Sequence, residues 1–135
     1  MYLLDTMVVS ELAKTPPDDA VLAWLARNAD SKQFLSVMTF GELERGIASL
    51  RRRNRNRADR LSIWFAGLSE EFVDRTLPVT YPIARIWGQL SIDSHSHAAD
   101  LLIAATALEH DLTIVTRNIR HFVPTGAKLF NPYED

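Results

Sequence analysis

The 135-residue chain contains no cysteine. Disulfide scaffolds, thiolate zinc sites and cysteine nucleophiles are thereby excluded. Glycine is scarce, at five residues. Neither a G-x-x-x-x-G-K-[ST] loop nor a G-x-G-x-x-G turn occurs, so the phosphate cradles of the common nucleotide-binding folds are missing. No apolar run approaches the roughly 18 residues that a membrane-crossing helix needs. The start, Met1-Tyr2-Leu3-Leu4-Asp5, lacks the basic-then-apolar layout of a secretory signal. A cytoplasmic protein with no membrane partner is expected. With no repeat, low-complexity tract or linker, a single domain over residues 1–135 is expected as well.

A net charge of −2 also excludes a polycation that coats nucleic acid indiscriminately. The charge is nevertheless segregated. Seven arginines (45, 51, 52, 53, 55, 57 and 60) share one window with a single acid, Asp59, giving +6; the remainder, with 8 basic and 16 acidic residues, carries −8. Such a stripe reads as a surface for an anionic polymer through phosphate contacts, or as a solvated face or docking surface for an acidic protein.

Apolar patterning alternates between strand and helix. Tyr2-Leu3-Leu4 reads as a buried strand ending at Asp5. A helix over about Met7–Lys14 is stopped by Pro16-Pro17, and Asp18 or Asp19 caps the next, which carries Val21 and Trp24. Gln33–Val37 is a second strand, followed by a helix from near Thr39. After the arginine segment, Leu61, Trp64, Phe65, Leu68 and Phe72 mark another helix. Thr76–Val79 reads as a short strand placed at a sheet edge by Pro78. Pro82 opens a helix. The stretch from about Ala98 to His110 is apolar almost all round and should be buried. Leu112–Val115 and Lys128–Phe130 complete the strands. Trp24, Trp64 and Trp87 fall on apolar helical stripes and read as core. The expected architecture is α/β: a mainly parallel sheet of four or five strands between helical layers.

In such sheets ligands bind along the carboxyl edge of the strands. Asp5, Glu42 and Asp100 all fall there, and Asn118 and His121 follow the strongest strand. Each acid has a plainer reading. Asp5 caps a helix. Thr39-Phe40-Gly41-Glu42 fits a capping box. Asp100 complements a helix dipole. Together they say more: like charges gathered at one edge repel, and a divalent cation relieves that repulsion. Hard carboxylate oxygens suit Mg²⁺ or Mn²⁺, and a site of that kind activates water against a phosphodiester. His95 and His97, two apart, lack the helical spacing of zinc ligands and read as loop histidines that help start the buried helix.

The residues that carry these features resemble a known family. Leu3-Leu4-Asp5-Thr6, Val8-Val9-Ser10-Glu11-Leu12, Thr39-Phe40-Gly41-Glu42-Leu43, Ala99-Asp100-Leu101-Leu102-Ile103-Ala104-Ala105-Thr106-Ala107 and Val115-Thr116-Arg117-Asn118 with Phe122 resemble, in order, the motifs of PIN-domain ribonuclease toxins of the VapC type. The resemblance implies a PIN-like domain and a Mg²⁺- or Mn²⁺-dependent endoribonuclease of a toxin-antitoxin system. It also implies RNA as substrate, a VapB-like antitoxin as partner, and a homodimer. Asp5, Glu42 and Asp100 would be the metal-binding and catalytic carboxylates. Thr6, Thr116, Asn118 and His121 would surround them, and Arg51, Arg52, Arg53, Arg55 and Arg57 would meet RNA or antitoxin.

Two positions depart from the family pattern. Met7 stands where Asn or Ser is common, and His121 stands where a fourth acid is common. The alternative is therefore a weakly active or non-catalytic module that still docks an antitoxin or a nucleic acid. A phosphoacceptor domain also gathers acids around Mg²⁺, but Arg117 occupies the place where its lysine would follow the strong strand.

Overall fold

The computed structural model describes residues 1–134; Asp135, the end of the expected domain range, lies outside the described residues. Five strands, β1 (Tyr2–Leu4), β2 (Gln33–Ser36), β3 (Thr76–Leu77), β4 (Thr113–Val115) and β5 (Lys128–Phe130), form one sheet in the order β3-β2-β1-β4-β5. Every pairing is parallel. The chain builds outward from β1 to β2 and β3, then returns to place β4 on the other side of β1. This reversal makes the carboxyl edge between β1 and β4 a topological switch point, where open α/β sheets bind their ligands.

Side-chain alternation along β1 decides how the two faces are filled. Leu3 and Ile114 face one way, into a cluster with Ile103, Ala104 and Ala107 of the apolar helix and with Phe122. Leu4, Leu35 and Val115 face the other way, against Val8, Val9, Val21 and Trp24. Both faces are covered, which is why the strands carry no polar alternation. On the second face Trp24 stacks on Phe130 at 5.6 Å and meets Tyr2 edge-on at 5.0 Å.

The helices are α1 (Thr6–Glu11), α2 (Asp19–Arg27), α3 (Val37–Arg51), α4 (Arg55–Glu71), α5 (Tyr81–Ser91), α6 (Ala98–His110) and α7 (Ile119–Phe122). Pro82 lies in the first turn of α5, and Asp18 caps α2 through Ala20 and Val21 N–H. The edge position expected of the Pro78 strand is the one β3 occupies.

Several boundaries differ from the sequence expectation. α3 begins at Val37 rather than near Thr39, because Ser36 Oγ accepts from the Met38 N–H and caps the helix two residues early. α4 begins at Arg55, well before Leu61, because Asn54 Oδ1 accepts from the Arg57 N–H. The arginine segment is thus the end of one helix and the start of the next. α1 stops at Glu11, short of the prolines, and α7 is a single turn that no apolar period announced. Trp24 is core, whereas Trp64 and Trp87 are only half-buried. Among the described residues the Trp87 indole N–H finds no hydrogen-bond partner.

Candidate metal centre

The site grows out of the switch point. Leu4 and Val115 are register partners, so the next residues, Asp5 and Thr116, leave the sheet side by side. The Asp5 N–H donates to Val115 O at 3.0 Å, and the Thr116 N–H donates to Phe130 O at 2.9 Å. The side chains then meet: Thr116 Oγ1 donates to Asp5 Oδ2 at 2.8 Å. The other carboxylate oxygen, Oδ1, accepts the Thr6 N–H at 2.8 Å. Asp5 does cap α1, as the plainer reading had it, but the cap also fixes a carboxylate that is only 3% exposed.

Glu42 comes from the second turn of α3. Thr6 Oγ1 donates to Glu42 Oε1 at 2.6 Å and stands 3.1 Å from the hydroxyl of Thr39. The capping-box reading of Thr39 and Glu42 is therefore corrected. Thr39 lies inside the helix, fully buried, and Glu42 reaches across to α1 rather than back to its own helix start. Asp100 lies in the first turn of α6. Its Oδ2 is 3.8 Å from His121 Nδ1. Among the described residues this contact brings a basic side chain to the three acids.

Burial pushes the Asp5 carboxyl up to about 6, against the pull of the Thr116 hydroxyl; Asp100 and, less strongly, Glu42 raise it further through space, while the Thr6 N–H lowers it. The three acids share one electrostatic neighbourhood. Among the described residues, no three acidic or imidazole side chains close around a common point tightly enough to clasp an ion alone. A hydrated Mg²⁺ or Mn²⁺ held by one or two of these carboxylates would not need such a closed set. The donors are hard oxygens, and their mutual repulsion is what a divalent cation relieves.

The neighbours fall into place unequally. Thr116 touches Asp5 directly, and Asn118 contributes its backbone N–H, which donates to Thr116 Oγ1 at 3.0 Å. Met7 is half-exposed and adds no polar group. Thr39, whose hydroxyl backs Thr6, was not singled out from sequence as a site residue; its place in an S/T-x-x-E pattern suggested a cap instead. Arg117, standing where a phosphoacceptor would have its lysine, lies 4.5 Å over the Tyr133 ring, a cation–π contact. Of the arginines, Arg51 is paired with Asp59 and donates to Ser62 at 3.0 Å.

Thr116→Val keeps the shape and removes the hydroxyl. Losing a hydrogen bond to the charged form raises a carboxyl pKa, so Asp5 is expected to titrate above about 6. Carbon-13 NMR of the metal-free protein reads this directly. An unchanged or lower value would show that the hydroxyl does not hold the ionised form.

The family model described as PIN domain matches residues 2–125, and the chain belongs to the PIN domain family. It is 36% identical to Toxin FitB of Neisseria gonorrhoeae over 142 aligned positions, covering 100% of both chains. It is 33% identical to VapC ribonuclease Y4jK of Sinorhizobium fredii over 143 positions, covering 99% of each. The crystal structure of FitAcB from Neisseria gonorrhoeae superposes with a TM-score of 0.88 at 34% identity, over 100% of each chain.

Proposed function

We propose that this protein is the endoribonuclease toxin of a toxin-antitoxin pair, hydrolysing RNA phosphodiester bonds with Asp5, Glu42 and Asp100 holding Mg²⁺ or Mn²⁺. The observation that carries the reading is the buried Asp5 at the switch point, its carboxyl raised by burial and by two further acids. Similarity to a named VapC ribonuclease and to a named toxin supports it. A bound divalent cation supplies an activated water and charge stabilisation for phosphodiester hydrolysis. The chain's own residues prepare for it. Thr116 and the Thr6 N–H fix both oxygens of Asp5. The Thr6 hydroxyl holds Glu42. His121, beside Asp100, brings an imidazole to the open side of the site.

The partner would be a VapB-like antitoxin. A cleft of about 790 Å³ opens beside α1 and α3–α4, with Leu43, Leu50, Leu61 and Trp64 below Lys14, Arg57 and Arg60. Apolar floor and basic rim suit an amphipathic segment carrying acids. The same reading makes the protein a homodimer working in the cytoplasm; among the described residues no helix is long and apolar enough to cross a membrane.

The test is cleavage of structured RNA by the partner-free protein. Millimolar Mg²⁺ or Mn²⁺ is expected to support cleavage, and excess EDTA to abolish it, with activity restored on adding metal back. Cleavage that persists in EDTA would remove the metal from the reading. Strand or partner binding without any metal-supported cleavage would leave a non-catalytic docking module.

A further inference from the structure

We propose that the cleft between the α5–α6 loop and α7 is a subsite for the flanking nucleotide of the RNA strand, holding the phosphodiester next to the one presented to the carboxylates. The inference rests on the ribonuclease reading and deepens it. The cleft encloses about 630 Å³, within the roughly 300–1,000 Å³ of ordinary ligand pockets. It adjoins the acids: His121 lines it, and His121 Nδ1 lies 3.8 Å from Asp100 Oδ2. A strand with one phosphodiester at Asp100 therefore has its neighbour within reach of this cleft.

Its chemistry is that of a nucleotide site. Arg120 gives a permanent cation suited to bidentate phosphate contact. His95, His97, Ser94 and Ser96 give imidazole and hydroxyl groups suited to phosphate and ribose oxygens, and Leu90 and Leu101 give an apolar floor for a base. One acid, Asp93, also lines the cleft. The loop is shaped by its own serines, with the Ser96 N–H donating to Ser94 Oγ at 3.0 Å. His97 stands at the α6 N-cap position without making a capping bond, so its ring is not used to start the helix. Of the arginine segment, Arg51 is paired with Asp59, and Arg57 and Arg60 line the other cleft.

The experiment measures equilibrium binding of a 5′-fluorescein single-stranded RNA decamer in EDTA at pH 7, by anisotropy across a salt series. Arg120→Gln is expected to weaken binding about tenfold and to reduce the slope of log Kd against log salt by about 0.7, the loss of one phosphate contact on a single strand. His95→Gln/His97→Gln, at two exposed loop positions, is expected to weaken binding in the same direction. Lys128→Gln, at the amino end of β5 and paired with Asp111, serves as the control and should leave both quantities unchanged. Unchanged affinity and slope in Arg120→Gln, or no strand binding by the wild type, overturns the subsite. The ribonuclease reading fails separately, by a wild type that binds the decamer through Arg120 yet leaves RNA uncut with Mg²⁺ or Mn²⁺.

Discussion

Asp100→Asn is expected to lower metal-supported RNA cleavage by at least about a hundredfold, acting on kcat, while the protein stays folded. The substitution keeps size and shape but takes one negative charge and one hard ligand oxygen from the site. The structural cost is small. Asp100 is partly exposed in the first turn of α6, where losing a carboxylate costs about 0.3–1 kcal/mol through the helix dipole. Asp5→Asn should match it in activity and differ in stability. Asp5 has a folded pKa of about 6 against a reference of 3.8, so the native state binds its proton more tightly than the unfolded chain. The stabilisation this lends is complete below pH 3.8 and is lost as pH rises through 6. At pH 7.5 the charged carboxylate is therefore a burden that Asp5→Asn relieves, by at most about 3 kcal/mol at 1.36 kcal/mol per pKa unit. The gain is reduced because one of the two oxygen positions becomes an NH₂, which cannot accept from the Thr6 N–H or the Thr116 hydroxyl it then faces. Activity falling while urea stability at pH 7.5 holds or rises separates chemistry from folding. Asp100→Asn activity within about threefold of wild type would remove that carboxylate from the reaction.

Glu11→Ala is expected to produce the largest loss of stability, about 2–4 kcal/mol, because it removes a buried carboxylate and leaves its three hydrogen-bond donors without an acceptor. Glu11 is 5% exposed. It accepts from Tyr133 Oη at 2.9 Å, from Lys14 Nζ at 3.1 Å and from the Asp18 N–H at 3.1 Å. These contacts fasten the turn after β5 to the connection between α1 and α2. Although burial works against it, the hydrogen bonds from Tyr133, Lys14 and Asp18 hold the Glu11 carboxyl below its ordinary value, and burial, then the neighbouring carboxylate, raises the Tyr133 phenol. A lowered folded pKa means stabilisation present above the reference value of 4.5 and lost as pH falls through the folded value. The advantage of wild type over Glu11→Gln should therefore be full at pH 7 and vanish in acid. Urea unfolding at the two pH values checks both statements. A change of less than about 0.5 kcal/mol in Glu11→Ala would show the network to be ornamental.

Much of this was legible without coordinates. Leu3 and Leu4 on opposite faces of a short apolar run, and an Asp closing that run, were enough to place Asp5 at a strand's carboxyl end. Asp100 betrayed itself as a lone charge opening an apolar helix. What stayed hidden was hidden for local reasons. Ser36 sits at a strand end and doubles as a helix cap, so the start of α3 was placed at the next capping pattern and Thr39 was misread. Asn54 caps a helix that carries one apolar residue, Ala58, before Leu61, and a single small residue shows no periodicity. Glu11 looks like an ordinary residue near a helix end. Its partner Tyr133 is 122 residues away, and no local pattern reports a tether of that span.

The pairing of Asp5 with Thr116 joins groups 111 residues apart in the sequence. A chain still emerging from the ribosome holds β1 with one edge bare until β4 is made, and during that interval the first carboxylate lacks the hydroxyl that fixes it. The pocket around Asp5 is thereby assembled only once nearly all of the polypeptide has been translated.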